Sequence, residues 1–322
     1  MFFSGMWRRT KRSVTDTEVS ARLSQKEACT ETAKSSGTIF KATDSYLEVC
    51  DGLYREKGWG LLAFSTAGVG ALCLTTMVSW MAINVSPAIR QKGDADAAHW
   101  AFGILALVAF GLFMLCVRSL LTDCFNYTRR PIRFNRIDRK IYAFRHNGPG
   151  GVVSVPWDDA FLYVERQPKT GLTSTAPRMV RCLVLDEQGQ VSDSFRIGKR
   201  VVLAYSEEGE LGRKVMAELY EDFEYYRRFM EDGPASLPPV AEFLSTRVSF
   251  RNSLKLQFDG MSDMFRSGNL FLLLVGIVAA IPTFLLAVAY HLAQLTCREP
   301  VWPDDVERAC TPSSRQTEGI AS

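Results

Sequence analysis

Four groups of residues in this 322-residue chain carry side chains able to do chemistry: a glycine-rich stretch, a carboxylate pair, three histidines and eight cysteines. Gly148-Pro149-Gly150-Gly151 has the glycine density of a phosphate-binding loop. No Lys-Ser or Lys-Thr follows it and both flanks read as strands, so the pattern predicts a hairpin turn. Asp158 and Asp159 after Trp157 offer two carboxylates, yet neighbours on a strand point to opposite faces and cannot share a proton. His99 and His146 have no Cys or Glu at metal-ligand spacing, and the cysteines form no CxxC pair. The expectation is therefore no catalytic residue, no metal and no cofactor, in a protein that is not an enzyme.

The elements that would position these residues are of two kinds, and a near-zero mean hydropathy averages over both. Trp59 to Val85, His99 to Val117 and Asn269 to Leu295 contain no Lys, Arg, Asp or Glu, and each is about long enough to cross a bilayer. Pro282 should kink the third, and His291 lies about one turn from its end, where an interfacial position accounts for it. Small residues at four-residue spacing (Ala63, Ala67 and Ala71; Ala279, Thr283 and Ala287) make helix association and a homo-oligomer an expectation.

Orientation follows from the basic residues. Arg129, Arg130, Arg133, Arg136, Arg139 and Lys140 follow the second apolar segment, which places the N-terminus and the central domain in the cytoplasm and the C-terminus in the periplasm. The same six residues are candidate contacts for anionic lipid headgroups, although positive-inside topology alone accounts for them. Cys297 and Cys310 would then share the oxidising compartment, either as a disulfide or as two thiols. A net charge of +3, with the basic residues gathered beside apolar segments, argues against nucleic acid as a partner.

Between the second and third apolar segments the sequence alternates. Ile132 and Phe134, Ile141 and Ala143, Val152 to Val155, Phe161 to Val164, Arg178 to Leu185, Val191 to Ile197 and Val201 to Tyr205 predict six or seven antiparallel strands. The period then changes: Leu219, Phe223, Tyr226 and Met230 predict an amphipathic helix over 208–231, stopped by Gly233-Pro234. A sheet closed by one C-terminal helix has the order of a pleckstrin-homology-like barrel. A further helical stretch is expected over 240–265, and the Ser-, Thr- and Glu-rich residues 13–38 predict poor order.

The fold expected is thus three transmembrane helices plus an α+β domain. Its parts are a partly disordered cytoplasmic region (1–58), a transmembrane hairpin (59–121), a cytoplasmic β-rich domain (122–235), a juxtamembrane linker (236–268), a third span (269–295) and a periplasmic tail (296–322).

Arg130-Pro131-Ile132-Arg133-Phe134-Asn135-Arg136, with Val155-Pro156-Trp157-Asp158-Asp159 after it, resembles a family of proteobacterial inner-membrane proteins known as a domain of unknown function. The resemblance spans roughly residues 50 to 235 and carries no assigned site residues. It implies an inner-membrane location and a loose association with type VI secretion effector and immunity genes. Two functions are expected from these readings. One is a non-enzymatic interaction protein, an immunity or accessory protein whose partner is a toxin or secretion component. The other is a membrane-tethered module recognising anionic lipid or a cytosolic ligand.

Overall fold

The computed structural model describes residues 11–167, 176–202, 209–259, 261 and 270–311. In chain order, the first elements are α1 (Asp16–Ser20), β1 (Ile39–Ala42) and β2 (Tyr46–Val49). The apolar hairpin follows as α2 (Trp59–Ala63), α3 (Val69–Ile83), the short α4 (Pro87–Gln91) and α5 (Ala95–Asp123). Next come β3 (Ile132–Asn135), β4 (Lys140–Phe144), β5 (Val152–Pro156), β6 (Phe161–Arg166), β7 (Arg178–Leu185) and β8 (Val191–Val201). The chain continues with α6 (Glu210–Glu231), α7 (Phe250–Gln257), α8 (Leu270–Leu295) and α9 (Asp304–Cys310). It divides into two compact units, one of Met1–Arg55, Tyr127–Thr246 and Glu299–Ser322, the other of Glu56–Asn126 and Arg247–Arg298.

The first unit holds two antiparallel sheets, ordered β1-β2-β3-β4-β5 and β6-β7-β8. The β2–β3 pair, Tyr46↔Asn135 through Val49↔Ile132, joins strands separated in sequence by the whole apolar hairpin. One face of the larger sheet supplies Leu47, Phe134, Ile141 and Val155 to the core, closed by Leu219, Phe223, Tyr226 and Met230 of α6. Phe134 stacks on Tyr226 with ring centroids 5.3 Å apart. The helix period expected for α6 thus becomes its buried face.

The N-terminal region differs from the expectation of poor order over its described residues. Arg12 and Arg22 form bridges with Val191 and Tyr163, and the Leu23 amide donates to Leu162 O at 2.8 Å. Glu224 on α6 accepts from the Cys29 amide and from Arg227 and Arg228; burial raises its carboxyl, but these donors outweigh it and bring it down to about 2. Few large apolar side chains are needed because several of its polar groups find partners on the sheets or on α6.

Two further expectations shift. Residues 240–249 are not helical: Pro238-Pro239 precede them, the Leu244 amide donates to Ile39 O at 2.7 Å, and Ser249 caps a shorter α7. Val201 ends β8, while residues 203–208 lie outside the described ones.

In the second unit, three helices among the described residues are long and apolar enough to cross a membrane, Tyr54–Ile83, Ala95–Asp123 and Leu273–Leu295. A π-helical turn, Phe64–Gly68, interrupts the first, with Thr66 Oγ1 donating back to Leu62 O at 2.7 Å. The extra residue in this turn displaces the Ala63-Ala67-Ala71 spacing from a single face: Ala71 is buried and Ala67 exposed.

One end of this unit is tied tightly. The Asp123 carboxylate accepts from the Gly58 and Gly60 amides at 2.9 and 2.6 Å, serving the open N-terminus of α2. A side chain at Gly60 would place its Cβ 2.3 Å from Ser119 O, so only glycine permits this approach of α2 to α5. The C-terminal end of α8 joins them: Cys297 Sγ donates to Asp123 O at 3.2 Å and the Arg298 amide to Asn126 O at 2.8 Å.

The tail packs on the large sheet: Trp302, Val306 and Cys310 are buried in one cluster with Tyr46, Tyr142 and Phe144. Of the two alternatives for Cys297 and Cys310, the structure has them as free thiols, and Cys310 is 1% exposed.

Candidate interaction surface on the outer sheet face

Because β2, β3, β4 and β5 alternate, the side chains that turn away from the α6 core form a second face: Tyr46 and Glu48, Arg133 and Asn135, Tyr142 and Phe144, Val152 and Ser154. Register places Glu48 opposite Arg133, and Arg133 opposite Tyr142. Arg133 Nε donates to Glu48 Oε2 at 2.7 Å and Nη2 to Glu307 Oε1 at 2.9 Å. Its guanidinium carbon lies 4.7 Å from the Tyr46 ring centroid and 4.5 Å from that of Trp302. A cation only 5% exposed is tolerable because two carboxylates neutralise it and two ring faces replace its water.

Around this centre the tail is fastened at both ends. Trp302 Nε1 donates to Glu48 Oε2 at 3.1 Å, Ser45 Oγ to Cys310 O at 2.7 Å, and Asn135 Nδ2 to Ala309 O at 2.9 Å. At the other end, Asn147 accepts from the Val301 amide at 2.9 Å and donates to Glu299 O at 3.3 Å. Burial pushes the Cys310 thiol above its ordinary value.

The glycine-rich stretch is the β4–β5 turn. Gly151 O accepts from the Arg145 amide at 2.8 Å, and a Cβ on Gly151 would fall 1.7 Å from His146 O. Between this turn and the tail the outer face stays open as a groove of about 630 Å³, floored by Tyr142, Val152 and Ser154 and walled by Pro149, Trp302 and Val306. It offers apolar surface, a few polar groups and, among the described residues, the edge strand β5 of the larger sheet. That combination suits a protein segment better than a reacting small molecule.

The other residues marked in the sequence serve the architecture. Trp157 is fully buried with its Nε1 on Glu231 Oε1 at 2.6 Å. Arg139 grips Asp158 at 2.7 and 2.8 Å and Glu231 at 2.7 Å, and Lys26 adds a bond to Asp158 at 2.9 Å. The hydrogen bonds from Arg139 and then Lys26 hold the Asp158 carboxyl well below the usual range. The motif thereby joins sheet, α6 and N-terminal segment.

Of the six candidate lipid contacts, Arg133 and Arg139 are thus engaged within the unit. Arg129 lies half-buried over the Phe40 ring at 5.7 Å, Arg130 is half-buried, and Arg136 and Lys140 are exposed. His99 Nδ1 donates to Ala82 O, and His291 packs on Phe250 at 5.7 Å.

Three features depart from what the sequence leads one to expect. Glu48, to which the sequence assigns no role, is buried. Trp302 and Glu307 fall in a tail expected to stand apart, although Pro303 followed by Asp304, Asp305 and Glu307, with Val306 and Cys310 four apart, is the signal of an amphipathic helix start. Asp222 sits on the buried side of α6, accepting from the Ser36 amide at 2.7 Å and from Thr38 Oγ1 at 3.3 Å. Burial pushes its carboxyl up to about 6, against those donors.

No curated protein and no solved structure matches the chain. A family of unknown function, DUF6708, matches residues 109–314, a stretch that runs from within α5 through β3 to β8 and α6 to the fastened tail. The chain belongs to that family.

Proposed function

We propose that this chain is a membrane-held interaction protein whose β-rich unit receives a protein partner at the outer sheet face, with no chemistry of its own. The groove between the glycine-rich turn and the tail carries this reading. Its floor and walls are held by the Arg133 cluster and by Asn147, so the surface is preformed and a ligand need not order it. The four-stranded meander β2 to β5, the three-stranded β6 to β8 and the closing α6 support a pleckstrin-homology-like barrel with β1 added at its edge.

The unit faces the cytoplasm of a Gram-negative cell from its inner membrane, in keeping with the arginines that follow α5. Within that setting the role is that of an immunity or accessory protein toward a secreted toxin or secretion component. Co-expression with each candidate toxin gene found in its own genomic neighbourhood tests this. Protection is expected from the natural chain and is expected to fall at least tenfold in Ser154→Arg and Val301→Arg, which fill the groove from exposed positions while leaving the core intact. Equal protection by all three chains removes the groove from the mechanism, and no protection by any of them removes the immunity role.

A further inference from the structure

The residues of α7 and its flanks sort into two rows at helical spacing. Phe250, Leu254 and Phe258 recur every four residues, and Arg251 and Lys255 form a basic row beside them. The helix itself, Phe250–Gln257, contains no carboxylate. Its start is well defined: Ser249 Oγ accepts from the Asn252 amide at 3.2 Å, and Asn252 Nδ2 donates to Arg247 O at 2.9 Å. Ser253 is buried and Leu254 half-buried, while Arg251 and Lys255 are exposed. One side of α7 is thus packed and the flank beside it is cationic and open.

The packed side meets α8. Phe250 lies against Phe284 and His291, with ring centroids 6.1 and 5.7 Å away, two positions that bracket Tyr290. That level of α8 is marked by the other apolar helices as well. A Cβ on Gly58 would fall 2.6 Å from the Tyr290 amide nitrogen, and the Gly58 amide donates to Asp123 at the end of α5 at 2.9 Å. Gly58 opens an uncharged run that lasts to Ile89, with Lys57 just before it and an exposed Trp59 just after. The end of α5, the start of α2, a cation and an exposed indole therefore coincide at one level, as where apolar helices leave hydrocarbon for headgroups. Arg251 adjoins Phe250, and Lys255 stands about 8 Å further along the axis, distances that long cationic side chains cover.

We propose that α7 is a headgroup-binding element whose basic row holds anionic phospholipid at the membrane boundary. Arg251 is the principal contact and Lys255 the second, since Asp259 follows one turn after Lys255. Phe250, which is itself exposed, seats the helix between α8 and the acyl chains. Lipid is the occupant because the cationic flank sits beside Leu285 and Leu292, exposed apolar residues of α8 at the same level, so one ligand must offer both an anion and hydrocarbon. This site is separate from the basic residues of the β-rich unit, where Arg133 and Arg139 are already held by carboxylates of that unit.

The inference rests on the membrane reading, which carbonate extraction tests separately: a chain released into the soluble fraction ends both. The full chain, purified in neutral detergent, is incubated with equimolar phosphatidylglycerol and phosphatidylcholine and repurified, and its retained lipid is measured by mass spectrometry. Both lipids carry a phosphate, so the net charge of the headgroup separates them. A phosphatidylglycerol to phosphatidylcholine ratio of about five or more is expected, the preference that one basic residue gives near an anionic surface. The ratio is expected to fall close to parity in Arg251→Gln/Lys255→Gln, and to hold in the charge-preserving swap Arg251→Lys/Lys255→Arg and in Arg136→Gln/Lys140→Gln, which changes exposed basic residues of the sheet. A membrane-embedded chain without the preference, or a preference that survives Arg251→Gln/Lys255→Gln, overturns the inference and leaves the membrane reading standing. A ratio that also collapses in the swap shows that packing rather than charge sets it, and overturns the inference too.

Discussion

The two faces of the five-stranded sheet are built from the same strands and stabilised by different physics. Toward α6 the positions are apolar and aromatic, and burial itself is the driving force. Away from α6 the face carries an arginine between two rings, two carboxylates and an asparagine, covered by residues 299–311 from the far end of the chain. The inner face would survive as a hydrophobic core with many sequences, whereas the outer one is satisfied only when a particular tail is in place. A face of that second kind can be left partly open, and the groove lies there.

This contrast can be broken from either side. The largest effect is expected on the inner face: Trp157→Ala removes a fully buried ring and leaves Glu231 without its indole donor, at about 3–5 kcal/mol, read as loss of cooperative unfolding in detergent. On the outer face, Arg133→Met strands Glu48 as a buried charge and is expected to cost about 3 kcal/mol or more. Adding Glu48→Leu should restore most of that loss, since removing both charges removes the need for either. Failure of the double variant to recover would mean the outer face depends on its ion pair as strictly as the inner face depends on its apolar packing.

Asp222 gives the pH signature of the inner side. Its folded pKa of about 6 lies above the unfolded value near 4, so ionisation opposes folding; the penalty is fully present above about pH 6 and is relieved as pH falls toward 4. Asp222→Asn is expected to stabilise the protein at pH 7 by roughly 3 kcal/mol, and to flatten stability against pH between 4 and 7. Melting temperatures across that range check it. The smallest effect belongs to the tail's first anchor: Asn147→Ala removes the bonds to Val301 and Glu299 and should cost about 1 kcal/mol, seen as faster proteolysis after Arg298 with an unchanged unfolding midpoint.

The strands and α6 were legible because their apolar positions recur at two or at three to four residues, as Ile132 and Phe134 or Leu219 and Phe223 do. The outer face was illegible for the same reason. When both faces of β2 and β3 are buried, Glu48 and Arg133 occupy the positions that alternation assigns to solvent. The N-terminal segment misled by composition: several of its polar groups, among them Gln25, Thr32 and the Ser36 amide, are bound to distant residues, and composition does not record partners.

By itself, the sequence determined the three apolar helices, the strand-rich middle with its amphipathic helix, and the hairpin at Gly148–Gly151, because each depends on local hydropathy and backbone preference. Only the tertiary structure decided that β1 and β2 belong with β3 and that the tail covers the sheet. Those are long-range pairings between segments separated by the membrane helices, fixed by which buried charge meets which partner, and no short-range pattern encodes them.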